Sequence, residues 1–185
     1  MSKRYERVEC CYKSIEGKIP FTPKVALILG SGLGDYAEHL EVEGSIDYHE
    51  IQDFPVSTVS GHKGRYVFAH IGEVPVVLMQ GRVHFYEGYP IEDVVLPTRL
   101  MQRMGAEILF LTNACGSVNP AFQAGDFMLL TDHILYSVPN PLIGENLSEL
   151  GVRFPDMSEV YDSGLREKIR KASSSMQLSL REGVY

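Results

Sequence analysis

The chain has 185 residues, of which 44% are hydrophobic and 22% are charged, a composition that argues against intrinsic disorder. Its formal charge of −7 at pH 7 argues against a general nucleic-acid binder, so any anion site must be a local concentration of donors. Three cysteines imply no disulfide framework, and no apolar stretch reaches the length of a membrane span. We therefore predict a cytoplasmic protein with one domain over residues 1–185.

The first predicted elements are a helix, a strand and a glycine-rich turn. Residues 1–20 carry apolar side chains at helical spacing, and this amphipathic helix is predicted to end near Gly17. The apolar run 25–29 predicts a buried strand, which leads directly into Gly-Ser-Gly-Leu-Gly over residues 30–34. Such a turn lets the backbone approach an anion, although from this turn alone a purely structural tight turn is the favoured alternative. Its spacing is one residue short of the dinucleotide fingerprint.

A β-hairpin is predicted next. Residues 66–71 and 74–79 are apolar runs joined by Gly72 and Glu73. The turn-rich stretch before them contains His62 close to two glycines. From the residues alone we interpret His62 as an exposed loop imidazole.

The loop after the hairpin carries a dense set of polar groups. Within six residues it offers the guanidinium of Arg82, the imidazole of His84, the phenol of Tyr86 and the carboxylate of Glu87. An α/β sheet keeps its ligand beyond the carboxyl ends of its strands, which is where this loop lies. Arg82 suits an oxyanion, His84 can exchange a proton near neutral pH, and Glu87 could fix the His84 tautomer. The alternative is a solvated loop with a weak ion pair.

The second half of the chain supplies further elements. A helix is predicted from Pro90 to a stop at Gly105, followed by strands over 108–111 and around 125–134. A long irregular loop is predicted over 137–155, then a helix from Ser158 to about Met176 with Tyr161, Leu165, Ile169 and Ala172 facing inward, and the start of a strand at 182–185.

The turn after the strand 108–111 has the sequence Thr-Asn-Ala-Cys-Gly, from Thr112 to Gly116. It again brings small residues and backbone amides to a strand's carboxyl end, so the two turns and the central loop could converge on one anion. We interpret Cys115 as a small buried residue in this turn rather than as a reactive thiol.

Five motifs, in order and over essentially all 185 residues, resemble those of the trimeric purine nucleoside phosphorylases. They are Gly30-Ser31-Gly32-Leu33-Gly34, Phe54-Pro55-Val56-Ser57-Thr58-Val59-Ser60-Gly61-His62, Gly81-Arg82-Val83-His84-Phe85-Tyr86-Glu87-Gly88-Tyr89-Pro90, Thr112-Asn113-Ala114-Cys115-Gly116 and Arg153-Phe154-Pro155-Asp156-Met157-Ser158.

The resemblance implies a three-layer α/β/α fold with a mixed central β-sheet. It also implies an enzyme of purine salvage, a pentosyltransferase that cleaves purine (deoxy)ribonucleosides with inorganic phosphate as co-substrate. The products are the free base and (deoxy)ribose 1-phosphate. No other cofactor and no metal are expected.

The resemblance further implies a role for each site residue. Phosphate is bound by Ser31, His62, Arg82, His84 and the backbone amide of Ala114, so that His62 becomes an expected participant. The catalytic residues are His84, Glu87 and Tyr86. The nucleoside contacts Tyr86, Ala114, Cys115, Gly116 and Phe154, where Phe154 reaches the sugar pocket of a neighbouring subunit in a homotrimer.

Two departures from the family pattern leave alternatives open. Cys115 and Ser117 stand where the family more often has Ala and Gly, which resembles the related methylthioadenosine phosphorylases. The family also continues beyond Tyr185 with a segment that recognises the purine. We therefore expect a chain that lacks the C-terminal part of this fold, and the second hypothesis is a non-catalytic fragment that binds phosphate or nucleoside.

Overall fold

A computed structural model describes residues 2–57 and 63–185 of the chain. The chain divides into two compact units. The first unit holds Met1–Ala114 and Pro141–Leu150, and the second holds Cys115–Asn140 and Gly151–Tyr185. Within the described ranges, no helix is both long enough and apolar enough to cross a membrane.

A five-stranded mixed sheet forms the centre of the first unit. Its strands are β1 Val25–Leu29, β2 Val42–Asp47, β3 Arg65–Ile71, β4 Val74–Gln80 and β5 Ile108–Leu111, in the spatial order β2-β3-β4-β1-β5. β1 pairs in parallel with β4 and with β5, whereas β3 pairs antiparallel with β2 and β4. The predicted α/β fold with a mixed central sheet is thus confirmed.

The sequence analysis did not predict β2. This strand contains Gly44 and three acidic or hydroxyl side chains, and most of its residues are exposed. It lies at an edge of the sheet in the described strand order, and a mostly exposed edge strand does not need a continuous apolar run.

Two helices cover one face of this sheet, α1 Lys3–Ile15 and α2 Ile91–Arg103. The buried side chains between them and the sheet include Val8, Cys11, Ile15, Leu96, Leu100, Met101, Tyr66, Phe68 and Met79. Alternate residues of the strands point to the opposite face, where Leu29, Val67 and Leu78 pack with Ala37 of the 3₁₀ helix Gly34–His39. Each face of the sheet is therefore partly covered within the first unit, whereas most of β5 is exposed.

Two fully buried tyrosines belong to the core between the helices and the sheet. The Tyr48 hydroxyl donates to the Gly81 carbonyl at 2.7 Å, and the Tyr66 hydroxyl donates to the Pro97 carbonyl at 2.8 Å. Burial raises the pKa of both phenols well above the ordinary value, because a phenolate is costly to bury. Above about pH 10 the unfolded chain loses these protons while the folded chain keeps them.

Stability is therefore expected to fall as the pH rises above about 10, by up to about 1.4 kcal/mol per pH unit for each phenol. Urea unfolding at a series of pH values from 7 to 11 measures this dependence. In Tyr66→Phe the pH dependence of stability should be weaker than in the wild type, because one of the two buried phenols is missing. Tyr185→Phe, which removes an exposed phenol, is the control. Identical pH dependence in all three proteins would contradict the assignment.

The second unit contains the parallel strands β6 Phe127–Asp132 and β7 Leu180–Val184, connected through α3 Ser163–Ser175. The stretch 137–155 has no regular element, as the sequence predicted. The predicted helix start at Ser158 is wrong. The Asp162 side chain caps α3 by accepting from the Leu165 N–H at 2.7 Å.

Two local interactions explain the differences around α3. The Ser158 N–H donates to the side chain of Asp156 at 2.8 Å, which makes a turn before the helix. At the other end of α3, Ser173 is buried and its hydroxyl donates to the Leu178 carbonyl at 2.7 Å. Ala172, predicted to face inward, is exposed.

Candidate active site

Three loops of the first unit leave the same edge of the sheet. β1 lies between β4 and β5 and runs parallel to both. Because parallel strands have their carboxyl ends at one edge, the loops that follow these strands lie side by side. They are residues 30–34 after β1, 81–90 after β4 and 112–114 after β5, the loops that the sequence analysis singled out.

The first and third loops are in direct contact. The Gly30 N–H donates to the Thr112 hydroxyl at 2.8 Å, and this hydroxyl donates to the Ile28 carbonyl at 2.8 Å. A Cβ on Gly30 would lie 2.5 Å from the Thr112 carbonyl oxygen and 2.7 Å from Asn113 Cα. Glycine is thus required here by the approach of a second backbone. From the sequence, this glycine was attributed to the turn and to the approach of an anion, and Thr112 was given no role.

Gln80, the last residue of β4, holds the far end of the first loop. Its side chain is almost fully buried, and its amide nitrogen donates to the Gly34 carbonyl at 2.6 Å. The amide oxygen accepts from Arg65 Nε at 2.7 Å. The sequence analysis missed this role, although a polar side chain ending an otherwise apolar strand is a signal for a buried hydrogen-bonding partner.

Arg82 connects the second and third loops. Its Nη1 donates to the Thr112 carbonyl at 3.3 Å, and its Nε donates to His84 Nε2 at 3.3 Å. The guanidinium therefore lies beside the imidazole, at the edge where the three loops meet. This places a fixed positive charge locally on a chain whose net charge is negative.

His84 is held by Glu87. The distance from His84 Nδ1 to Glu87 Oε1 is 2.8 Å, and the His84 backbone N–H also donates to Oε1 at 2.8 Å. The Glu87 side chain is only 3% exposed, so this carboxylate depends on such donors. Because Nε2 accepts from Arg82, these two hydrogen bonds assign the imidazole proton to Nδ1.

Tyr86 covers the outer side of His84. The two rings are stacked with centroids 4.7 Å apart and an interplanar angle of 18°. Tyr86 itself is 75% exposed, and its phenol faces solvent. A polar aromatic side chain in this position can contact a hydroxyl-rich ligand bound next to the imidazole.

The remaining predicted residues are placed as follows. Ser31 and Ala114 are exposed and follow β1 and β5 in the same unit as Arg82 and His84. Cys115, Gly116 and Phe154 belong to the second unit, and Phe154 is 86% exposed. His62 lies outside the described residues.

The burial predicted for Cys115 is wrong, since its side chain is exposed. Residues 113–121 form one continuous exposed stretch, and the thiol belongs to it. In the part of the chain that the structure describes, no three His, Cys, Asp or Glu side chains are grouped so as to hold a metal ion.

Comparison with known proteins gives the family. Residues 24–185 match the model of the phosphorylase superfamily. Purine nucleoside phosphorylase 1 of Bacillus subtilis (strain 168) is 46% identical over 180 residues, which are 97% of this chain and 66% of that protein. Purine nucleoside phosphorylase of Mus musculus is 45% identical over 186 residues, or 98% of this chain and 64% of that protein.

Solved structures agree with these matches. Schistosoma mansoni purine nucleoside phosphorylase in complex with acetate has a TM-score of 0.90 and 36% identity, and the match covers 97% of this chain and 68% of that one. This likeness confirms the fold class. The chain spans about two thirds of the length of the curated relatives described above. It belongs to the phosphorylase superfamily, and within that family it is similar to the purine nucleoside phosphorylases.

Proposed function

We propose that this protein is a purine nucleoside phosphorylase and that the three-loop edge is its phosphate site. The reaction is the cleavage of the N-glycosidic bond of a purine (deoxy)ribonucleoside by inorganic phosphate, which gives the free base and (deoxy)ribose 1-phosphate. The observation that carries the proposal is the Arg82, His84 and Glu87 arrangement beside Thr112. A cation and a positioned imidazole at the carboxyl edge of parallel strands form a site for one oxyanion.

The chemistry requires the phosphate to be held against a sugar that develops positive charge as its bond to the base breaks. Donors fixed in advance stabilise that arrangement without reorganisation during the reaction. Arg82 supplies charge-assisted hydrogen bonds, and the Ser31 hydroxyl and the Ala114 N–H supply neutral ones. His84 Nε2 can accept a proton from dihydrogen phosphate, H2PO4⁻, and the resulting imidazolium then donates a hydrogen bond to the dianion HPO4²⁻ while Glu87 stabilises its charge.

The substrate class is supported by the relatives. The Bacillus subtilis and Mus musculus proteins carry the name purine nucleoside phosphorylase. A Schistosoma purine nucleoside phosphorylase has been solved in complex with hypoxanthine. The Schistosoma mansoni enzyme has been solved with adenosine, and its isoform 2 with cytosine and ribose 1-phosphate. In our proposal the exposed phenol of Tyr86 contacts the pentose.

We also propose the assembly and the other roles expected from the resemblance. His62 contacts the phosphate, while Cys115 and Gly116 line the nucleoside site together with Ala114. The exposed ring of Phe154 enters the sugar pocket of a neighbouring subunit of a cytoplasmic trimer. Phosphate is the sole co-substrate, so treatment with a chelator should leave the rate unchanged.

Release of hypoxanthine from inosine by the purified chain, followed with and without phosphate, tests the proposed function. Turnover that requires phosphate and yields ribose 1-phosphate is the expected result. Calorimetric titration with inorganic phosphate on the same sample separates binding from catalysis. Phosphate binding without turnover would contradict the proposed activity and favour a protein that only binds phosphate. The absence of both phosphate binding and turnover would also contradict the proposed phosphate site.

A further inference from the structure

Ser57 contacts the carboxylate that holds His84. Its hydroxyl donates to Glu87 Oε2 at 3.2 Å and lies 3.5 Å from Oε1. His84 uses Oε1, so the two residues act on the same carboxylate group through different oxygens. We propose that Ser57 is a positioning residue of the active site, acting through Glu87 on the tautomer and orientation of His84. This inference rests on the proposed function and deepens it.

The Ser57 hydroxyl is held in place by its neighbours along the chain. The Tyr89 hydroxyl donates to the Val56 carbonyl at 2.6 Å, which ties the residue before Ser57 to the loop that contains Glu87. Phe54 packs on the buried rings of Tyr48 and Tyr66, with centroid distances of 5.0 and 5.9 Å. An aromatic ring fixed in the core leaves little freedom to Pro55 and Val56, the two residues between it and Ser57.

Helix α1 anchors the start of the same segment. Arg7 donates to the Asp53 carbonyl from Nε at 3.1 Å and from Nη2 at 2.8 Å. The Cys11 thiol donates to the Gln52 carbonyl at 3.2 Å. Asp53 has a φ of 54°, in the left-handed region that non-glycine residues rarely adopt. Such a backbone conformation is retained where surrounding contacts fix it. Here the contacts from Arg7 and Cys11 fix the backbone before Ser57 and so help to hold Ser57 beside Glu87.

The effect on His84 follows from the geometry of a carboxylate. With donors on both oxygens, the plane of the Glu87 carboxylate is fixed and Oε1 stays in line with His84 Nδ1. Without the hydroxyl, this nearly buried group loses one donor and is restrained less against rotation about its terminal bond. The Nδ1 proton then has a poorer acceptor, and the tautomer with the proton on Nε2 gains population. That tautomer cannot accept the hydrogen bond from Arg82 Nε.

The experiment compares the wild type with Ser57→Ala and Ser57→Thr. The ¹⁵N shifts of the His84 imidazole report which nitrogen carries the proton, and steady-state rates with inosine report the KM for phosphate and kcat. In Ser57→Ala we expect a measurable gain of the Nε2-protonated tautomer and a loss of about tenfold in kcat/KM for phosphate. Ser57→Thr keeps the hydroxyl and should restore both readouts towards the wild type.

The controls separate positioning from folding and from the proposed function. Ser175→Ala removes an exposed serine hydroxyl of α3 and should leave both readouts unchanged. Urea midpoints show whether each variant is folded, and the ¹⁵N shifts of a destabilised variant are recorded below its unfolding transition. An unchanged tautomer in a folded Ser57→Ala overturns the proposal. If the wild type shows no turnover, the proposed function fails, while the ¹⁵N measurement still decides the role of Ser57.

Discussion

Replacement of Arg82 by Ala is expected to lower kcat/KM for phosphate by about a thousandfold. The guanidinium is the fixed cation at the edge where the three loops meet, and it donates to both the Thr112 carbonyl and His84 Nε2. Its removal takes away the charge-assisted donors to the phosphate and one hydrogen bond that holds the imidazole. Initial rates with inosine at varied phosphate measure the loss, and calorimetry should show that saturable phosphate binding has disappeared.

Arg103→Ala is the matched control for this substitution. Arg103 pairs with Glu9 and lies over the ring of Tyr12, on the helices α1 and α2. Its removal should cost about 1 kcal/mol of stability or less and leave the phosphate KM within threefold of the wild type. Equal losses of phosphate affinity in the two variants would indicate a general effect of charge or stability and would contradict the phosphate-site assignment.

Gly30→Ala is expected to damage the same site without touching a charged group. The added methyl group would lie 2.5 Å from the Thr112 carbonyl oxygen and 2.7 Å from Asn113 Cα, and both are backbone atoms. One loop must therefore move, which we expect to cost about 2 to 3 kcal/mol of stability. The movement also separates the donors proposed for phosphate, so activity should fall more than the unfolded fraction explains.

Gly17→Ala controls for the loss of a glycine elsewhere. A Cβ at Gly17 meets no atom within 4 Å, and the residue does not have the positive φ that disfavours alanine. Its free energy of unfolding in urea should match that of the wild type within about 0.5 kcal/mol, and its rate should match within about twofold. A Gly30→Ala protein with wild-type stability and phosphate affinity would show that the contact between the first and third loops does not shape the site.

Much of the sheet was predictable because its inner strands are short apolar runs between residues that break regular structure. The predicted strands 25–29, 74–79 and 108–111 agree with β1, β4 and β5 to within one residue. The position of the candidate site at the carboxyl edge of the sheet was predictable from the parallel strands expected in an α/β fold. Contact between Glu87 and His84 was also foreseeable, since the two residues are three positions apart.

Contacts between residues distant in the chain were not predictable in the same way. Ser57 lies 30 positions from Glu87, and Gln80 lies 46 positions from the carbonyl that it holds at Gly34. The local sequence around Ser57 or Gln80 does not indicate its hydrogen-bonding partner, because the partner is brought close only when the chain folds. The site could be predicted at the level of its charged residues, but the groups that position them required the structure.

The place of β1 in the sheet has a consequence for the order in which the protein folds. β1 is the first strand in the chain, yet its ladder partners are β4 and β5, and neither follows it directly. The antiparallel β3–β4 hairpin can form early from local pairing, whereas β1 must close long loops to find both neighbours. The three loops meet only after that last closure. Phosphate bound at the proposed site is therefore expected to slow unfolding of the native protein and to leave the folding rate unchanged, because its donors converge only late in folding.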